Sequence, residues 1–173
     1  PNFARWADLL AGSEVPEQEA DDVNNSLDQV TDYVFEIIQN SNFGQEVHES
    51  FMDLAVGTGI LLVEEGDAVN PIRFNAIPLP TVYLDTGPDD KIDHVYRQRS
   101  LKYEEIPIAY QKAELGEKTT KSIASNPDAK VDVVEIVCRN YSKPNQDLFD
   151  FFVINIPDKE LIFQDQFSGT GSN

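Results

Sequence analysis

Apolar residues recur at three- and four-residue intervals at Val23, Leu27, Val30, Val34, Ile37 and Ile38, which predicts an amphipathic helix capped by Asp21 or Asp22. Residues 40–42 interrupt this period. A second stripe of Val47, Phe51, Leu54 and Ala55 then predicts a helix over residues 43–58. The short connection predicts an antiparallel helical hairpin whose two stripes face each other. Gly57 is expected to take the left-handed conformation that ends a helix, and Gly59 to let the next strand start close to it.

After the glycines the period falls to two. Residues 60–64, 72–77, 82–85 and 92–99 read as strands, separated by turns over 67–71 and 86–90 that are rich in Gly, Pro, Asn and Asp. Helical spacing returns over 101–113, with Tyr103, Ile106, Tyr110 and Ala113 on one side, so Pro107 must fall in the first turn or kink the helix. A shorter helix follows over 118–125. Residues 131–138, 148–156 and 160–167 predict a three-stranded antiparallel meander with loops at 140–147 and 157–159. At the start, Phe3, Trp6, Leu9 and Leu10 read as a helical turn or a packing surface without its partner, and residues 12–22 as an acidic linker. Helices and strands in separate blocks argue for an α+β fold: an N-terminal helical hairpin, then antiparallel strands, short helices and a C-terminal antiparallel meander.

A chain of 173 residues, 40% of them hydrophobic, can bury one good core or two small ones. The default division is an N-terminal extension and linker over residues 1–20 and a single α+β domain over 21–173. The start at Pro1, the only methionine at Met52 and the polar ending at residues 169–173 read as a segment of a longer protein. Charge narrows the partners further. With 31 acidic against 13 basic residues the net charge is −18, and nucleic-acid affinity depends on cations that displace condensed counterions, so specific nucleic-acid binding is not expected. One cysteine, Cys138, excludes an intramolecular disulfide and fits a reducing compartment. No apolar run approaches the ~20 residues that span a bilayer, and no membrane partner is expected.

Candidate chemistry is sparse. His48 and Glu49 are adjacent on a helix and point about 100° apart, and Met52 stands where a second helical metal ligand belongs. His94 does not complete a ligand set. Gly57, Thr58 and Gly59 follow a helix and precede a strand, the reverse of the order that brings helix amides to a phosphate. The adjacent pairs Glu64 and Glu65, Asp89 and Asp90, and Glu104 and Glu105 read as solvated, turn and helix-start acids. Arg97 and Arg99 share one face of a strand, where they suit carboxylates within the fold or on a neighbouring subunit. Cys138 and His94 form a dyad only if the fold happens to bring them together. No catalytic, cofactor-binding or metal-binding residue is assigned, and no cofactor is expected.

The order of these pieces carries more information than any one of them. Ser41, Asn42 and Phe43, then His48 and Glu49, then Gly57, Thr58 and Gly59, then residues 61–65 (LLVEE), then Pro80, Val82, Tyr83 and Leu84, then Val95, Tyr96 and Arg97, run collinearly. This block resembles the head-to-tail connector (portal) proteins of short-tailed bacteriophages, from about residue 23 to residue 101. The resemblance implies a structural subunit, without enzymatic activity, of a closed ring at one capsid vertex, through which DNA is packaged and ejected. It also implies other portal subunits, capsid, scaffold, terminase and tail proteins as partners, and a virion protein assembled in the host cytoplasm. The resemblance further implies that the segment is the body of such a subunit, in its wing region, and that stem and clip are expected beyond residue 173. In that setting the segment alone is expected to be a monomer or weak small oligomer, and the whole protein a ring. The alternative from the residues alone is a free-standing acidic α+β protein-binding module.

Overall fold

A computed structural model describes residues 5–142 and 147–169. The expected loop at 140–147 lies partly, and Phe3 and the ending beyond Gly169 lie wholly, outside the described residues. The chain gathers into two compact units, one up to Leu79 and one from Pro80 onward.

The first unit holds α1 (Glu17–Asn40), α2 (Phe43–Leu54), β1 (Leu61–Glu65) and β2 (Ile72–Ala76). Helix α1 starts before Asp21, with Pro16 at its N-cap and Glu17 and Glu19 in its first turn. A proline fixes φ at a helical value without needing a donor, and acids in the first turn suit the helix dipole, so the start falls within the stretch expected to be a linker. Residues 5–12 form no helical turn. They run along α1 instead: Arg5 pairs with Asp28 and Asp32, Trp6 meets Phe35 edge-on at 5.3 Å, and the Leu9 and Ala11 amides donate to Thr31 Oγ1 and Asn24 Oδ1.

The helix pair forms, but its apolar stripes do not face each other. Val30, Val34, Phe51 and Leu54 are exposed. Helix α2 turns a polar face to β2, whose other edge pairs antiparallel with β1. Because Ile77 donates to Ile60 at 3.0 Å, toward β1, the backbone groups of Phe74 and Ala76 face away from β1. Asn42 accepts the Phe74 amide at 2.9 Å and donates to its carbonyl at 2.7 Å. Glu46 accepts the Ala76 amide at 2.7 Å and Asp53 the Leu79 amide at 2.9 Å. At 4 and 11 residues beyond Asn42, Glu46 and Asp53 lie within about 40° of it on the helix, and the three satisfy an edge of β2 that no strand among the described residues covers.

Helix α2 ends at Leu54, before Gly57. No described glycine has positive φ, so the left-handed cap expected at Gly57 is corrected. Its amide still closes the last turn on Asp53 at 3.0 Å. Of Gly57 and Gly59, the sterically demanding one is Gly59, where a Cβ would stand 2.6 Å from the Ser50 carbonyl oxygen, as the expected close approach of strand to helix requires.

The second unit is one antiparallel sheet in the order β3–β4–β5–β6–β7, with β3 (Val82–Thr86), β4 (Ile92–Lys102), β5 (Lys130–Arg139), β6 (Leu148–Asn155) and β7 (Glu160–Ser168). The expected C-terminal meander is thus its last three strands. The helix expected over 101–113 is shorter. Leu101 and Lys102 stay in β4, paired with Val131 and Lys130, and a 3-10 turn at Tyr103–Glu105 leads into the single turn of α3 (Ile106–Ala109). Strand pairing reaches further than the helical period suggests, yet Ile106 and Tyr110 still point inward, joining Val131, Val133, Val153 and Ile162 in the core. Helix α4 (Glu117–Ser125) matches the expected short helix.

Candidate functional site

Alternation along the strands sorts the second unit into two faces. The core face carries Arg97, Arg99, Val131, Val133, Glu135, Val153 and Asn155 in adjoining cross-strand rows. Arg97 and Arg99 find their carboxylate within the fold, at Glu135, which stands directly opposite Arg97. Arg99 Nη1 lies 2.7 Å from Glu135 Oε1 and Arg97 Nη1 3.5 Å from Oε2, while the Tyr110 hydroxyl donates to Oε1 at 2.7 Å. Burial works against the Arg99 charge, but the Glu135 carboxylate overrides it and holds the guanidinium above its ordinary value. Burial, reinforced by the bond to Glu135, raises the Tyr110 hydroxyl far above the usual phenol range. Arg99 is thus held charged and Tyr110 neutral, which suits a brace for the sheet and not proton transfer.

Two smaller clusters are also structural in geometry. Glu160 accepts the Thr119 hydroxyl at 2.7 Å, the Thr119 amide at 3.1 Å and the Lys118 amide at 3.2 Å, so β7 caps the start of α4. Those bonds, the Thr119 hydroxyl first, hold its carboxyl below the usual glutamate range. Buried Asn155 joins the cluster by donating to Thr119 Oγ1 at 3.0 Å. At the other end of the sheet, buried Asp93 accepts the Tyr141 hydroxyl and lies 2.7 Å from His94 Nδ1.

The residues weighed for chemistry fall as follows. His48 and Glu49 are exposed on α2, and no group of three His, Cys, Asp or Glu side chains among the described residues is placed to hold a metal. His94 does stand opposite Cys138 on the neighbouring strand, a juxtaposition that spacing along the chain does not reveal. The thiol is nonetheless poorly suited to attack, because burial and then the charges of Asp150 and Asp93 raise its pKa. Glu64, Glu65, Asp89, Asp90 and Glu104 are exposed; Glu105 accepts the Lys102 amide at 2.8 Å and stops β4. Glu135, Asp93, Tyr141 and the Asn42, Glu46 and Asp53 ladder were not foreseen. Only the ladder has a local signal, its helical spacing; the others depend on strand register.

What the surface offers is contact area. The C-terminal end of α2 presents Phe51 and Met52 at 61% and 65% exposure, with Leu54 beside them, and Val56 just beyond the helix is 80% exposed. In the second unit, Tyr83, Tyr96, Ile136 and Phe152 line up across four strands on the face away from the core, flanked by Val134, Ile154 and Leu161. No side chain of that face is buried. No helix among the described residues is long and apolar enough to cross a membrane.

A family model described as bacteriophage head to tail connecting protein matches residues 1–153. No curated protein sequence matches the chain.

Proposed function

Since the chain belongs to the family of bacteriophage head to tail connecting proteins, a structural family of the phage virion, we propose that it acts as a subunit of the portal ring at the vertex where head meets tail. The observation that carries this reading is the collinear block from Ser41 to Arg97, which lies inside the matched residues. The family role joins head to tail and brings contact with head and tail components. Beyond it, the ring we propose is a passage for DNA during packaging and ejection, with other copies of the protein, capsid, scaffold, terminase and tail proteins around it and assembly in the host cytoplasm.

The chemistry of the described residues supports a mechanical role. Their ionisable clusters brace secondary structure. In keeping with a structural family, we assign no enzymatic activity to the chain. Its net charge of −18 suits a subunit that lets DNA pass without holding it. Immunogold labelling of tailed particles tests the placement: label at the single vertex bearing the tail is expected, whereas label spread over the capsid or along the tail contradicts it.

A further inference from the structure

We propose that residues 5–12 form a strap that ionic strength releases from α1, opening the helix face around Thr31 and Phe35. The device lies within one chain and stands whether or not copies form a ring.

Residues 5–12 run back along α1 from a turn in which the Val15 amide donates to the Gly12 carbonyl at 3.1 Å. Their hold on the helix is slight. Arg5 Nη2 lies 2.6 Å from Asp28 and Nη1 3.1 Å from Asp32, while Nε lies 2.5 Å from Asp8 of the strap itself. Beyond these, the Leu9 amide donates to Thr31, the Ala11 amide to Asn24, and Trp6 meets Phe35 edge-on. Apolar burial adds little, because Trp6, Leu9 and Leu10 stay 65%, 46% and 73% exposed in the docked strap. Yet Thr31 and Phe35, which Leu9 and Trp6 touch, are the two buried residues of α1.

What remains to hold the strap is charge. Helix α1 carries seven acidic side chains and no basic one, and within residues 1–79 the only cations besides His48 are Arg5 and Arg73, of which Arg73 lies on β2. Asp28 and Asp32 stand one helical turn apart, where like charges repel, and a guanidinium bridging both offsets that repulsion. The three carboxylates around Arg5 are exposed, so their attraction is of the kind that dissolved ions weaken. A segment held by a few exposed contacts opens locally, without unfolding the unit that carries it. Salt therefore acts on the strap and spares the strand pairing.

Trp6 is the only tryptophan in the chain, so its indole N–H gives one resonance in a proton–nitrogen correlation spectrum of the whole chain. Raising sodium chloride from about 0.01 M to about 1 M shortens the screening length from ~30 Å to ~3 Å and should shift that resonance to the position of an unstructured tryptophan. The nuclear Overhauser contact between Trp6 and the Phe35 ring should disappear with it, while the amides of β5 and β6 keep their positions. Arg5→Gln, and separately Asp28→Asn combined with Asp32→Asn, should give the high-salt indole position already at low salt, again with β5 and β6 unchanged. An indole resonance that ignores salt, or an Arg5→Gln variant that matches the native chain at low salt, would overturn the proposal. So would an indole that moves only together with the β5 amides, since that marks general unfolding and not release of a strap.

Discussion

Glu135 is where Arg97, Arg99 and Tyr110 meet, and its side chain is largely withdrawn from water. Replacing one partner of such a cluster strands the remaining charges, so Glu135→Ala should cost about 2–4 kcal/mol, read as a lower melting temperature. Asp128→Asn, which breaks an exposed pair with Lys102, should hardly move it. Glu160 makes a pH prediction. Its carboxyl is held below the ordinary glutamate value of 4.5 by the Thr119 hydroxyl and amide, so its folded pKa lies under its unfolded one. The stabilisation is full above the unfolded value and is lost as pH falls through the folded one. Melting temperatures between pH 7 and pH 3 should thus fall less steeply for Glu160→Gln than for the native chain, and an unchanged slope would remove Glu160 from the account. At this scale the shared face of Arg97 and Arg99 was legible from a spacing of two. Their partner was not, because Glu135 is 36 residues beyond Arg99 and only strand register brings it near.

Among the elements, α2 depends on how it meets β2. Asn42→Ala removes both bonds to Phe74, and hydrogen exchange should show faster exchange at the Phe74 amide with little change in β5. Protection equal to that of the native chain would show that the ladder does not hold the edge. Gly59→Ala should destabilise the first unit by about 1–3 kcal/mol, since the added methyl meets backbone at Ser50. Gly57→Ala should cost less, because its methyl meets only the movable Leu79 side chain at 3.1 Å. Strands β1 to β7 and helices α1, α2 and α4 were readable from period and turn residues. The failures share a cause: where tertiary pairing competes with local period, pairing prevails. Leu101 follows Val131 into the sheet, and Phe51 and Leu54, spaced as a buried stripe, face outward because the polar side of α2 has an edge to satisfy.

At the scale of the whole molecule, the acidic surface and the family role point the same way. Titration of labelled duplex DNA at low salt, where electrostatic affinity is greatest, should show no binding below micromolar concentrations; submicromolar binding would undo the charge argument. The connector family was legible from collinear order alone, since no single motif in the chain fixes a chemistry. The uncovered surfaces of α2 and the sheet were not legible, because an apolar residue in sequence reads as core whether or not anything covers it. We propose that copies of this protein close into a ring between head and tail. Electron microscopy of the protein expressed from its complete reading frame, at high concentration and moderate salt, tests it most directly. Closed particles with cyclic symmetry around a central channel are expected, and a protein that stays monomeric under those conditions would contradict the account.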